Sequence, residues 1–525
     1  MSDQENPIKK ILSNEINRRE FLKKTALVSV LGAGFLAGCS PKVQSEAGKD
    51  TPMAQGASNA PVSETQNVDI VVVGGGISGL AAAVQAAQLG AKVVVLESQG
   101  ATGGNGYGTE GIFGIGSKLS KAAGVNVNPQ DIIIPTIKYF ENRINPLFWK
   151  DMVVASGENV DWLQANGVQF EGKVDSYAPL GVFPTFHWWK DGKGKNYLEP
   201  MTAKAQALGA NILKNTSGKD LIVENGKVVG ITATKSDGKL IQFNSKAIIF
   251  ATGGYAQNKQ MMEERGWRNT VYMGFPGHNG DGLRMALAVG AHDETPILGG
   301  LNMFGVTGVK DMRTPMGGLG MTIGASTIWV NENGERFADE TASLMEGGVN
   351  AMRTQKVSYM IFDSAVLSAG EAVSKGLTDA VEEFVKQNPD KNVYKADNVE
   401  QLAASVGIDP KLLAATLLRY NTLCNSGKDD DFGKPAEKMM AFIKPPFYSV
   451  RMDYAWFTTA GGIRIDRKMQ AISKTGNAIP GLYAVGMDSC ELFREIYKIY
   501  GAGSANGHNI NSARVAARNA VATLT

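Results

Sequence analysis

The stretch that decides the fold is VDIVVVGGGISGLAAAVQAAQLGAKVVVLES, residues 68–98. It reads as an apolar strand, the turn Gly74-x-Gly76-x-x-Gly79, an alanine-rich helix closed by Gly90, and a second apolar strand ending at Glu97. Each part suits the grip on a dinucleotide. Gly74 permits the tight turn out of the strand, Gly76 lets backbone approach a pyrophosphate, and Gly79 lets helix and strand pack closely. The helix N-terminus offers free N–H groups and a positive dipole end to the phosphates. Glu97 follows at about the 20-residue spacing at which an acid accepts a ribose hydroxyl. By itself this unit leaves NAD, NADP and FAD open.

The chain has 525 residues, more than one ordinary core accommodates, so two folded domains and a processed leader are expected. Its net charge is +2, and that small basic excess falls within residues 1–38. A charge-balanced remainder argues against nucleic-acid binding and against a polybasic membrane patch. The three cysteines, Cys39, Cys424 and Cys490, form no C-x-x-C or C-x-x-C-H, so no haem attachment, iron–sulfur or thiolate zinc site is encoded. Four scattered histidines, His187, His278, His292 and His508, do not suggest a metal centre.

At the N-terminus, Arg18-Arg19 precedes Phe21-Leu22-Lys23, the short apolar stretch Thr25–Ala37, and Leu36-Ala37-Gly38-Cys39. The order resembles a twin-arginine export signal ending in a lipobox (residues 1–39), with Cys39 as the lipidated residue, and the apolar stretch is too short to span a bilayer. Residues 40–66, rich in Ser, Ala, Pro, Gly and charge, read as a flexible linker. Helical periodicity is expected over 130–166, 196–210 and 364–425, with a final helix over 508–523. A β-meander is expected over 219–224, 227–235 and 239–250, turned by Asn225-Gly226 and Asp237-Gly238. No solenoid-length repeat occurs.

Beyond the first unit, GGN at 103–105, ATGG at 251–254, GDGLRMAL at 280–287, NENGERFADE at 331–340, LLRYN at 417–421, SGKDDDFGKP at 426–435 and GLYAVG at 481–486 follow in order. In that order the chain resembles the FAD-binding fumarate reductase flavoproteins, a group that includes urocanate reductase and ketosteroid Δ1-dehydrogenases. The resemblance implies an α/β fold: a Rossmann-like FAD domain of the glutathione-reductase type (67–295 and 458–525) with an inserted α+β capping domain (296–457). It also implies noncovalent FAD, lined by Gly74, Gly76, Gly79, Glu97, Gly104, Asn105, Gly254, Asp281, Asp488 and Ser504.

The fumarate-specific polar set is missing. Where the family carries a His-Pro-Thr segment, this chain has Asn302-Met303-Phe304, and the arginine-rich stretch becomes Met321–Thr327. The proton-donating arginine falls near Leu344, the paired histidines become Phe457–Gly462, and another arginine falls near Ser504. A dicarboxylate needs cationic, bidentate anchors to offset its desolvation, so fumarate is not the expected substrate. Glu491–Gly503 supplies Arg494, Tyr497, Lys498 and Tyr500 instead. It resembles the tyrosine-then-glycine turn of the ketosteroid enzymes, with Tyr500 one position out of register. Tyr500 and Tyr497 are candidate proton donors and Arg494 a candidate carboxylate anchor, and both tyrosines also suit an interface packing role. Lys310, Asp311 and Arg313, the His187-Trp188-Trp189 cluster, His278 and His508 are secondary candidates.

The expected function is an exported FAD-dependent oxidoreductase acting on CH–CH bonds. In that reading hydride from flavin N5 reduces a C=C bond conjugated to a carbonyl or carboxyl in anaerobic respiration. The substrate is a small unsaturated acid or ketone, and electrons come from a separate cytochrome or quinol dehydrogenase. The alternatives are a ketosteroid Δ1-dehydrogenase-like enzyme and a flavin electron-transfer lipoprotein.

Overall fold

Four-residue runs without a single polar side chain form the centre of the molecule. In the computed structural model, strands β1 (Val62–Asn67) and β2 (Ile70–Val73) lead into helix α1 (Ile77–Gln88) and strand β3 (Val93–Leu96). The structure describes residues 61–524 apart from 179–180, 295–299, 310–313, 342–345, 388–391, 490, 495–496 and 498. The export signal, Cys39 and most of the linker, together with Lys310, Asp311, Arg313, Leu344, Cys490 and Lys498, lie outside the described residues.

Strands β2 and β3 pair in parallel, Val71 beside Val94, and every residue of both is buried. Continuous apolar strands of this kind belong in a sheet covered on both faces. Helix α1 crosses between them because Gly79 carries no Cβ: one placed there would lie 1.8 Å from the Gly74 carbonyl oxygen. Gly90, at φ +88°, turns the chain out of the helix.

The expected meander exists but ends earlier than its pattern suggests. Strands β4 (Thr216–Glu224), β5 (Lys227–Lys235) and β6 (Leu240–Asn244) are antiparallel, with β1 added in parallel to β6. Asn225 (φ 49°) and Gly226 (φ 76°) make the left-handed turn expected of Asn-Gly. The last piece, 239–250, divides at Ser245-Lys246. Its second half, β7 (Ala247–Phe250), is wholly buried and pairs in parallel with β2, Ile248 beside Val71. An alternating strand closes the small sheet, whereas an unbroken apolar one enters the central sheet. On its other side β7 pairs in parallel with β8 (Ala478–Ala484), near the C-terminus.

A second hydrophobic core gathers residues between Val306 and Met452, while the first takes residues from Val68 to Ala291, Val349, and those from Trp456 onward. The long strand Phe447–Thr459 is the spine of the inserted part and pairs with Thr270–Tyr272, Gly300–Val306, Ser358–Asp363 and Val393–Ala396. The expected continuous helical run 364–425 is therefore interrupted. Val393–Ala396 is a strand whose Val393 is buried beside Val450, between helices Leu377–Gln387 and Val399–Val406. The final helix, Ser504–Ala522, begins ahead of the expected start because left-handed Gly503 (φ 79°) serves as its N-cap.

Two motifs of the inserted part meet in a buried ion cluster. Arg336 donates to Glu340 (2.8 Å) and Asp429 (2.8 Å), and Lys434 reaches Glu340 (3.3 Å) and the Thr327 carbonyl (2.7 Å). Burial pushes Asp429 up, but Arg336 and the backbone N–H groups of Lys434 and Phe432 outweigh it and hold the carboxyl down to about 2. Removing one member of such a cluster strands the others without compensation. Glu340→Ala is expected to cost about 3–5 kcal/mol, read as a lower unfolding midpoint. A midpoint equal to wild type would refute a stabilising role.

Candidate functional site

A cleft runs from the glycine fingerprint to the N-terminus of helix Ser504–Ala522 and encloses about 1490 Å³ of empty space, its mouth included. At the fingerprint end, Gly74 sits at φ +106°, where a Cβ would strike the Ala251 carbonyl at 2.3 Å. A Cβ on Gly76 would meet only the Gly103 carbonyl, at 3.6 Å, so backbone there faces open cleft. Helix α1 has no side-chain N-cap, and Ile77 and Ser78 of its first turn line the cleft. Free N–H groups at such a helix end suit an anion. Glu97 accepts the Gly75 N–H (2.8 Å) on one oxygen and the Gln99 N–H (2.8 Å) on the other. Burial raises its pKa against those donors, and a carboxylate so held keeps lone pairs for a ribose hydroxyl.

The GGN segment is fastened to this end, since Gly103 donates to the Gly75 carbonyl (2.9 Å). Asn105 donates to the Phe457 carbonyl (2.6 Å) and accepts from the Phe275 N–H (2.8 Å). Beside it the Tyr272 hydroxyl lies 2.7 Å from His278 Nδ1. Burial pushes the His278 imidazole down to about 4, so it lines the cleft as a neutral group at pH 7.

Of the residues singled out from sequence, Gly74, Gly76, Glu97, Gly104, Asn105 and Asp281 line the cleft together. Gly79, Gly254, Asp488 and Ser504 stand behind its wall. Asp488 is fully buried and accepts from the Thr252 N–H (2.5 Å), the Gly254 N–H (2.9 Å) and the Thr252 hydroxyl (2.9 Å). It therefore braces the turn Thr252-Gly253 that faces the cleft. Gly503 and Ala505 reach the cleft on either side of Ser504.

The catalytic candidates separate. Tyr497 lines the cleft, 7% exposed, with its ring edge-on to Phe493 at 4.7 Å and its phenol pushed up by burial. Tyr500 does not line it. Its ring stacks on Tyr139 at 4.1 Å and meets Phe140 and Phe183 edge-on, which makes it a packing residue. Arg494 pairs with Glu294 at 2.8 Å, outside the cleft lining, so it anchors no substrate carboxylate there. His187 is a core residue 2.8 Å from the Ser117 hydroxyl, and His508 is buried 3.0 Å from the Ser489 hydroxyl.

Sequence reasoning missed Glu110 and Tyr177. Both line the cleft, and the Tyr177 hydroxyl donates to Glu110. Nothing in the sequence links two residues 67 positions apart. The one local signal is Asp175, whose carboxylate accepts the Tyr177 N–H (2.9 Å) in a tight turn. Among the described lining residues the charged groups are Glu97, Glu110 and Asp281, with no lysine or arginine.

An FAD binding domain family model matches residues 69–504. The chain belongs to this family. It is 31% identical over 491 residues to vinyl phenol reductase of Lactiplantibacillus plantarum, covering 87% of this chain and 97% of that protein. It is 27% identical to fumarate reductase (cytochrome) of Shewanella frigidimarina, covering 84% of this chain and 75% of that protein. Its fold matches 3-ketosteroid-Δ4-(5α)-dehydrogenase of Rhodococcus jostii RHA1 with TM-score 0.67 at 23% identity, covering 89% of this chain and 99% of that one. These matches agree with the resemblance read from the motifs. The protein is an FAD-dependent oxidoreductase, and the open backbone at Gly76, the uncapped α1 and Glu97 fit the dinucleotide half of that cofactor.

His278 and His508 are both held near 4, below the ordinary 6.5, by burial. Between those values the unfolded chain binds protons that the native chain does not. Stability therefore rises with pH across that window and is fully present above it, each histidine contributing up to about 3 kcal/mol. Denaturant midpoints at pH 5 and pH 7 should differ accordingly, and His508→Gln should flatten the slope. A midpoint independent of pH across this range contradicts the assignment.

Proposed function

We propose that this enzyme reduces a carbon–carbon double bond in a small conjugated substrate that carries little or no negative charge. The observation that carries the reading is the cleft lining, where aromatic rings and carboxylates occur without a lysine or arginine among the described residues. A dicarboxylate brought there would lose its hydration without a cation to offset the loss. A neutral arene or enone loses little, and the Tyr177, Phe186 and Phe457 rings offer it apolar surface. The 31% identity to vinyl phenol reductase across 97% of that protein supports the same substrate type.

Bound noncovalently, FAD supplies the hydride at N5. The chain's own residues orient the substrate and supply the proton. Tyr497 is protonated at neutral pH because burial disfavours its phenolate, and its place in the lining suits donation to a substrate carbon or carbonyl. The Asn105–Phe457 hydrogen bond ties the GGN segment to the end of the long strand.

Arg18-Arg19, the short apolar stretch and Cys39 support export by the twin-arginine route and a lipid anchor. An exported enzyme without a haem-attachment motif of its own takes electrons from a separate cytochrome or quinol dehydrogenase, as in anaerobic respiration. With dithionite-reduced methyl viologen as donor, 4-vinylphenol or a simple enone should exceed fumarate in kcat/KM by a factor on the order of 100. Comparable turnover of fumarate would falsify the reading. Cys39→Ala should shift the protein from the membrane to the soluble fraction of expressing cells, and a variant that stays membrane-bound excludes the lipid anchor.

A further inference from the structure

We infer that Glu110 and Tyr177 form a hydroxyl-recognition site that selects a para-hydroxyaryl alkene. The inference rests on the proposed alkene reductase and names its substrate class.

The pair is built rather than incidental. Tyr177 sits at φ 56°, a left-handed conformation that costs a bulky L-residue energy and persists only where the surroundings impose it. Here Asp175 imposes it, accepting both the Tyr177 N–H (2.9 Å) and the Trp188 indole N–H (3.0 Å). The Tyr177 ring is packed against Phe186 (4.7 Å) and Trp188 (5.3 Å). The strained turn holds the phenol where its hydroxyl meets Oε2 of Glu110. Among the described residues Oε1 of Glu110 has no partner, and both residues line the cleft.

A carboxylate with one oxygen occupied by a fixed donor keeps its other oxygen as an acceptor, and Glu110 is exposed where it lines the cleft. It repels a substrate carboxylate and welcomes a neutral O–H. A phenol fits better than an aliphatic alcohol, because Phe186 lies in the same lining and offers ring surface. Tyr497 gives the cleft its second polar feature: it is 7% exposed and lines the cavity. An acceptor for the ring hydroxyl and a donor for the alkene carbon thus line the same cleft. A hydrogen bond accepted from the phenol pushes electron density through the ring and makes the remote alkene carbon easier to protonate.

The test is calorimetric binding of 4-ethylphenol, which has no double bond to reduce, to the FAD-loaded protein, with 4-ethylanisole as the hydroxyl-blocked control. Wild type should bind the phenol about tenfold or more tightly than the anisole. Glu110→Gln, which keeps only a weaker neutral acceptor, should reduce that preference several-fold, and Tyr177→Phe should reduce it as well. Should Glu110→Gln lose FAD, Tyr177→Phe decides alone. No preference in wild type, or an undiminished preference in both variants, overturns the recognition site. In that event, viologen-linked reduction of an enone by wild type leaves the alkene reductase standing. If wild type reduces no alkene at all, that reading falls with it.

Discussion

One buried carboxylate joins the two segments that flank the inserted part of this chain. Asp488 lies just beyond the last strand of the central sheet and accepts three hydrogen bonds from Thr252 and Gly254, 234 to 236 positions earlier. Burial raises its pKa, and those donors work against the rise. The contact closes the sheet with a C-terminal strand beside β7, so everything inserted between must leave and return at one edge of the cleft. The long strand Phe447–Thr459 makes that return. It delivers Phe457 to Asn105, while the Thr459 hydroxyl accepts the Tyr255 N–H at 3.1 Å. The wall facing the dinucleotide and the base of the inserted part are thus fixed together.

The parts legible in sequence are those whose physics is local. Gly74, Gly76 and Gly79 act within six residues of one another, and the space each must leave open follows from the turn alone. Asp488 was recognisable as an acid beside a glycine turn, but which side of the wall it faces depends on Thr252, far off in the chain. The motifs NENGERFADE and SGKDDDFGKP were equally visible. Their purpose was not, because Arg336 acquires its meaning only when Asp429 and Lys434 arrive beside Glu340. The same limit separates Tyr497 from Tyr500. Three residues apart in an irregular segment, they point to different surroundings, one to the cleft and the other onto Tyr139. Glu110 and Tyr177 carry no motif, and only the fold brings them together.

The family frame explains the cofactor without fixing the substrate, because a fold and its chemistry are separable. This chain shares the frame with a fumarate reductase and the fold of a steroid dehydrogenase, yet the described walls of its cleft present carboxylates and rings. Coulomb attraction in a partly dry cleft is several times stronger than in water, so the sign of the lining charges matters more than their number. Even the one histidine in the lining adds no positive charge at neutral pH. Burial keeps His278 unprotonated, with its Nδ1 within hydrogen-bond distance of the Tyr272 hydroxyl and the Phe275 carbonyl. On the proposed reading such a lining discriminates by exclusion first, since among the described residues an anionic substrate meets like charge and no counter-ion. Selection among the neutral molecules that remain then falls to hydrogen-bond geometry and ring packing, which is where Tyr497, Tyr177 and Glu110 stand.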